Sequence, residues 1–286
     1  MSNQLSHLLT TRLTLLLILL LITFPASSEI INLKVATDLE ATAELLPGQE
    51  EGKVILILHG FLQTRDFFTV RRLADALNDE GHTILLPNLS LGINHRRQSL
   101  ACEAIHTHSL EEDVREISQW VEWLYTKQKK PVTIIGHSAG SLLLLAYLTG
   151  TPKASVEDAL LISLIPFAQG PIAKESEKDR QTAVDQLASN NSEVSSYPLA
   201  FCDKYMSTAG NYLSYVNWNS EKSLNSLKKL SFKPMIILGG QDQRLGEDWL
   251  PRLKQVGAEV VEIDGANHFF NHEHEFDLVD TISDML

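Results

Sequence analysis

The stretch Val132-Thr133-Ile134-Ile135-Gly136-His137-Ser138-Ala139-Gly140-Ser141-Leu142-Leu143-Leu144-Leu145 decides the reading of this chain. Pro131 resets the backbone into an apolar strand, the strand stops at Gly136, and a helix is predicted from Ser141 to Leu148. The two glycines of Gly-His-Ser-Ala-Gly flank a serine on a turn tight enough to strain its backbone, and they leave room where larger side chains would strike the neighbouring strand and helix. Ser138 would project its hydroxyl above the carboxyl ends of the strands, with the helix N-terminus beneath it favouring negative charge. A bare Gly-x-Ser-x-Gly is a weak signal. Set between a strand and a helix, it is a much stronger one.

Outward from this turn, apolar runs alternate with helical patterns. Upstream, Ile30 to Ala36 and Ala41 to Leu45 read as a pair of edge strands. Val54-Ile55-Leu56-Ile57-Leu58 is a continuous apolar run of the kind buried on both faces, hence a central strand. A helix carrying Val70, Leu73, Ala74 and Leu77 on one face ends near Gly81 and leads to a strand at Thr83 to Leu86. Ser109 and Glu112 form a capping-box pattern ahead of a helix with Val114, Ile117, Val121 and Leu124 on one stripe. Downstream, strands are predicted at Ala159 to Ile165, Met235 to Leu238 and Glu259 to Ile263, with helices around Trp249 to Val256 and from Phe276 onward. The order predicts an α/β sandwich of about eight mostly parallel strands flanked by helices. The segment 166–233, after the sixth strand, is too long for an ordinary connection and is expected to form a small cap over a single domain spanning residues 29–286; the alternative is one helix plus a long loop.

A serine hydroxyl is a poor nucleophile at neutral pH and needs a base. His268, in Gly265-Ala266-Asn267-His268 after the last strand, lies at the same sheet edge; His272 and His274 are its rivals. A carboxylate must orient that histidine. Asp242, in Gly239-Gly240-Gln241-Asp242 after the seventh strand, is the first choice, and Asp264 the alternative. Two N–H donors for an oxyanion are offered by Phe61, in His59-Gly60-Phe61, and by Ala139. With Gly136 and Gly140, these motifs together resemble the α/β-hydrolase fold superfamily of serine esterases, lipases and peptidases, in the family order of serine, acid, histidine, and the resemblance runs from Ile30 to Leu286. It implies acyl transfer from an ester, thioester or amide to water, on a small-molecule acyl substrate and with no cofactor. Many relatives carry an Asp and a Gly-x-Gly turn after the fourth strand, where this chain reads Pro87-Asn88-Leu89-Ser90-Leu91-Gly92, so the substrate does not carry over. Readings from other classes are a non-catalytic binding protein on the same scaffold and a cofactor-free oxidoreductase or lyase.

The 286 residues carry a formal net charge of −12, which disfavours nucleic acid as a partner. The basic pairs Arg71-Arg72, Arg96-Arg97 and Lys129-Lys130 read as solvated faces. Arg12, the apolar run Leu13 to Phe24 and the small residues to Ser28 have the layout of a signal peptide, residues 1–28, cut after Ser28. The chain is therefore expected to be exported, periplasmic or secreted. An uncleaved anchor is the alternative, and this segment is the one expected membrane contact. Export permits Cys102 and Cys202 to form a disulfide; two buried thiols are the other reading. Asn88 and Asn190 fall in glycosylation sequons. Neither His106 and His108 near Cys102 nor His268, His272 and His274 with Glu273 and Glu275 has specific metal-ligand spacing, so no metal is expected and these histidines outside the triad read as solvated loop positions.

Overall fold

The computed structural model describes residues 28–150, 156–168, 173 and 176–286; the expected signal segment, apart from Ser28, lies outside the described residues. Ten strands are described: β1 (Glu29–Ala36), β2 (Leu39–Leu46), β3 (Val54–Leu58), β4 (Thr83–Asn88), β5 (Val132–His137), β6 (Val156–Ile162), β7 (Ser195–Leu199), β8 (Cys202–Ser207), β9 (Met235–Gly239) and β10 (Glu259–Ile263). The helices are α1 (Phe68–Asp79), α2 (Leu110–Gln128), α3 (Ala139–Thr149), α4 (Glu177–Ala188), α5 (Ala209–Val216), α6 (Ser220–Lys229), α7 (Trp249–Gln255) and α8 (His274–Ser283).

Eight strands form one sheet in the order β1-β2-β4-β3-β5-β6-β9-β10. β2 is antiparallel to both β1 and β4, and every later pairing is parallel. The chain leaves β3 to build β4 on one side and β5 on the other, which opens a crevice at the carboxyl ends of β3 and β5. The turn holding Ser138 and the loop holding Phe61 both leave from that crevice.

β3 is buried throughout because both faces of the sheet are covered. Leu56 and Leu58 pack in one cluster with Ile117, Trp120 and Val121 of α2 and Leu142 and Leu144 of α3. Ile55 and Ile57 pack in the other with Val70, Leu73 and Leu77 of α1 and Leu278 and Ile282 of α8. Burying one such leucine stabilises the fold by roughly 1.5–3 kcal/mol. α3 is apolar all round, and Leu142 to Leu148 are buried without exception; a helix with no polar face must be enclosed, here by the sheet, α2 and α6. The capping box at Ser109 and Glu112 starts α2, and Lys129 in the left-handed region ends it.

Between β6 and β9 the chain forms α4, the two-stranded antiparallel ribbon β7–β8, α5 and α6. The sequence shows no sign of the ribbon, because both strands are short and polar and one carries Pro198. Of the expected cap segment, α6 packs against α3 in the layer of the main sheet. A disulfide joins Cys102 to Cys202, with Cα atoms 5.5 Å apart across a sequence separation of 100. The same junction is hydrogen-bonded: the His106 N–H donates to the Met206 carbonyl at 2.8 Å, and the Ser207 hydroxyl donates to the His106 carbonyl at 3.0 Å.

Two expectations about exposure are corrected, and one of the two sequons is closed. Arg96 is 3% exposed, because its guanidinium is used up inside the fold, donating to the carbonyls of Leu89 and Gln98 at 2.6 and 2.8 Å. His106 and His108 are buried, His106 stacked on Tyr205 and His108 bonded to Asp113 and Tyr215. Asn88 is buried too, accepting from the Arg65 N–H and donating to the Arg96 carbonyl, so its sequon is closed in the folded protein, whereas Asn190 is exposed. No helix among the described residues is long and apolar enough to cross a membrane.

Candidate active site

Ser138 stands between β5 and α3 with φ 57° and ψ −121°, a conformation that costs a non-glycine residue of order 1–3 kcal/mol. The surroundings enforce it. The Ser138 N–H donates to the Ile162 carbonyl at 2.8 Å, and the Ser141 hydroxyl sits 2.6 and 2.7 Å from the carbonyls of Gly136 and Ile162. A Cβ on Gly136 would lie 2.7 Å from the Gly140 backbone, and one on Gly140 would lie 2.5 Å from the His59 carbonyl oxygen. The strand, the helix and the loop after β3 can approach this closely only because both positions are glycine.

The loops after β9 and β10 are stitched together. The Gly240 N–H donates to the Ile263 carbonyl and the Gln241 N–H to the Ala266 carbonyl, both at 2.8 Å. This lacing brings Asp242 and His268 face to face. His268 Nδ1 lies 2.7 Å from Asp242 Oδ2, and His268 Nε2 lies 2.9 Å from Ser138 Oγ. The two side chains behind the serine are almost sealed from solvent, His268 at 3% and Asp242 at 7% exposure. Asp264 is exposed, as is His272, and His274 pairs with Asp277. With the carboxylate holding Nδ1–H, Nε2 is the acceptor that faces the serine hydroxyl.

Across the serine, no acceptor among the described residues takes the N–H of Phe61 or of Ala139. Both are free to meet an oxyanion. The Phe61 loop is braced by His59, whose Nδ1–H donates to the Gly60 carbonyl at 2.9 Å while Nε2 accepts from the Leu89 N–H at 3.2 Å and from the Arg96 guanidinium at 3.1 Å. Burial, reinforced by the Arg96 charge, pushes the His59 imidazole down to about 3, so the ring is neutral and its tautomer fixed by these partners.

Two further residues hold the backbone of His268 and carry no sequence signature. His137 Nε2–H and the Ser163 hydroxyl both donate to the His268 carbonyl, at 2.9 and 3.0 Å. Burial, with His268 beside it, pushes the His137 imidazole down to about 3, which keeps it a neutral donor. Only their positions next to the elbow and at the end of β6 hint at this role.

A narrow cleft opens over Ser138, lined chiefly by Phe61, Ile165, Phe167, Phe201, Phe269 and Arg244. Phe61 meets Phe167 and Phe201 edge to face with centroids 5.4 and 5.8 Å apart. A sheet of this topology, carrying a strained serine at a strand-to-helix turn with an aspartate-bound histidine on it, defines the hydrolase class of α/β proteins. The chain belongs to the alpha/beta hydrolase family, whose family model matches residues 55–281. A comparison with curated protein sequences finds no match. Among solved structures the chain resembles the thioesterase domain from the curacin biosynthetic pathway (18% identity over 90% of this chain and 99% of that one, TM-score 0.63). It also resembles Est1E from Butyrivibrio proteoclasticus with ferulic acid bound (16%, 89% and 97%, TM-score 0.67). A third is the monoacylglycerol lipase of Paleococcus ferrophilus (16%, 86% and 98%, TM-score 0.65). At these identities the likeness is one of fold.

Proposed function

We propose that this chain is an exported serine hydrolase that cleaves a carboxylic ester, or a thioester, through an acyl-enzyme. The observation that carries the reading is the continuous hydrogen-bonded line Asp242, His268, Ser138, facing two unclaimed N–H groups. In the first half of the reaction Ser138 Oγ attacks the acyl carbon as its proton passes to His268 Nε2. The oxyanion forms between the Phe61 and Ala139 N–H groups. Collapse breaks the bond to the alcohol or thiol, which leaves with the proton from His268. Water then attacks the acyl-serine, His268 takes its proton and returns it to Ser138, and the free acid departs. Asp242 keeps the imidazole in the right tautomer and offsets its transient charge.

Export is argued from the apolar leader and supported by the disulfide, which fits an oxidising compartment. An amide substrate would run on the same residues, so the test compares bonds directly. The purified protein should be labelled by a fluorophosphonate at Ser138 and should turn over nitrophenyl esters faster than thioesters or anilides of the same acyl group. Ser138→Ala should keep the fold and lose activity by several orders of magnitude. Wild-type turnover in a folded Ser138→Ala protein would end the proposal. Intact mass of the exported form should begin at Glu29; a retained Met1 would instead support the anchor.

A further inference from the structure

Arg244 is the one cationic side chain among the described residues that line the cleft, and apart from Gln63 and the catalytic pair its neighbours there are hydrophobic. Its main chain is fixed, because its N–H donates to Asp242 Oδ1 at 2.9 Å. Its guanidinium lies over the ring of Phe269, 4.6 Å from the centroid, with Phe201 at 5.8 Å. Among the described residues no carboxylate stands within ion-pair distance of it. Most other half-buried or buried arginines of this acidic protein are committed: Arg65 and Arg71 to Glu44, Arg96 to carbonyls. The carboxylate that acts on Arg244 electrostatically is Asp242, which His268 already engages.

A guanidinium held by its face against aromatic rings keeps its N–H edge for another partner. A half-buried cation with no carboxylate in ion-pair contact is poorly solvated, and burial, partly offset by the charge of Asp242, lowers the pKa of Arg244 from its ordinary value. Such a site gains most from an anion that arrives with its own planar pair of oxygens.

Resting on the serine-hydrolase reading above, we infer that Arg244 is a specificity residue that binds a carboxylate on the substrate, which makes the substrate an ester with one anionic end and an apolar or aromatic body. The carboxylate belongs either to the acyl half, as in a monoester of a dicarboxylic acid, or to the alcohol half, as in an ester of a hydroxy acid. The shared chemistry is an ester and a carboxylate in one molecule. The aromatic walls fit the apolar part.

The test uses two pairs of substrates matched in length: monomethyl esters of dicarboxylic acids against methyl esters of monocarboxylic acids, and butyrate esters of hydroxy acids against butyrate esters of plain alcohols. At pH 7.5, wild type should favour the anionic member of one pair, and which pair identifies the half that carries the charge. In Arg244→Met the ratio of kcat/KM, anionic over neutral, should fall by about 10- to 100-fold, the range of a lost charge-assisted hydrogen bond. Arg244→Lys should keep part of the preference, and added salt should erode it in wild type but not in Arg244→Met. A merely structural arginine would change both members of a pair alike. An unchanged ratio in both pairs with folded Arg244→Met overturns the inference while leaving the hydrolase reading intact. Absence of Ser138-dependent turnover on every ester overturns both.

Discussion

At the scale of single residues, the choice between Asp242 and Asp264 shows what a sequence can carry. Both end a strand on the same sheet edge, and only the lacing of Gly240 and Gln241 to the loop of His268 selects between them. Asp242→Asn should lower kcat by on the order of a thousandfold or more through the wrong histidine tautomer, while Asp264→Asn, an exposed change, should leave the kinetics as they are; the reverse ranking in steady-state assays would move the acid. Gly140 offers a second check. A methyl group there would meet the carbonyl oxygens of His59 and Leu58 at 2.5 and 2.8 Å, so Gly140→Ala should cost about 1–3 kcal/mol in denaturant unfolding. It should also displace the Phe61 N–H, lowering kcat at temperatures where the variant is still folded. The serine, histidine and flanking glycines were legible because each sits at a predicted strand end in a fixed order. The burial of Arg96, His59 and Glu116 was not, because no local pattern reveals that Arg96 meets His59, 37 residues away, or that Glu116 meets Ser90, 26 residues away.

At the scale of elements, α5 and the β7–β8 ribbon are fastened to the body by polar and covalent links as well as by apolar packing. Tyr215 of α5 donates to Asp113 Oδ2 of α2 at 2.5 Å and lies 2.6 Å from His108 Nδ1, and the disulfide secures β8. The main helices and the sheet could be read from periodicity, whereas the ribbon owes its existence to these tertiary ties. Replacing both Cys102 and Cys202 by serine should lower unfolding stability by about 2 to 4.7 kcal/mol, the upper figure being the chain-entropy value for a loop of this size. It should also let the cleft, walled by Phe201 of this same region, accept longer acyl chains. A kcat/KM profile over graded nitrophenyl esters, with and without mild reduction, checks this; identical profiles would show that the ribbon does not set the length limit.

At the scale of the whole molecule, pH acts through a few buried groups. His59 and His137 are both pushed down to about 3 by burial, so below about 6.5 the unfolded chain takes up protons that the folded chain refuses, and stability falls as the pH drops. Glu116 has the opposite sign. Burial, partly offset by the hydrogen bonds of Ser90, raises its carboxyl to about 7. Between about 4.5 and 7 the unfolded chain releases this proton and the folded chain holds it, so Glu116 costs stability as the pH rises through that window. Denaturant midpoints should therefore fall on acidification from pH 6.5. The difference in stability, Glu116→Gln minus wild type, should grow from pH 5 to pH 7.5; a flat difference would show that Glu116 ionises freely in the fold.

The bridge from Cys102 to Cys202 closes a covalent ring that contains Ser138 but neither Asp242 nor His268. A protease that cuts once inside this ring, for instance in the exposed turn around Asn190, makes two polypeptides that remain one molecule. They migrate together until a reductant is added. A single cut beyond residue 202 and before Asp242 has no such tether, and it parts the nucleophile from the acid and base that serve it. Resistance to nicking is thus unequally distributed along the chain, and the vulnerable stretch is the one that leads from the ribbon back to β9.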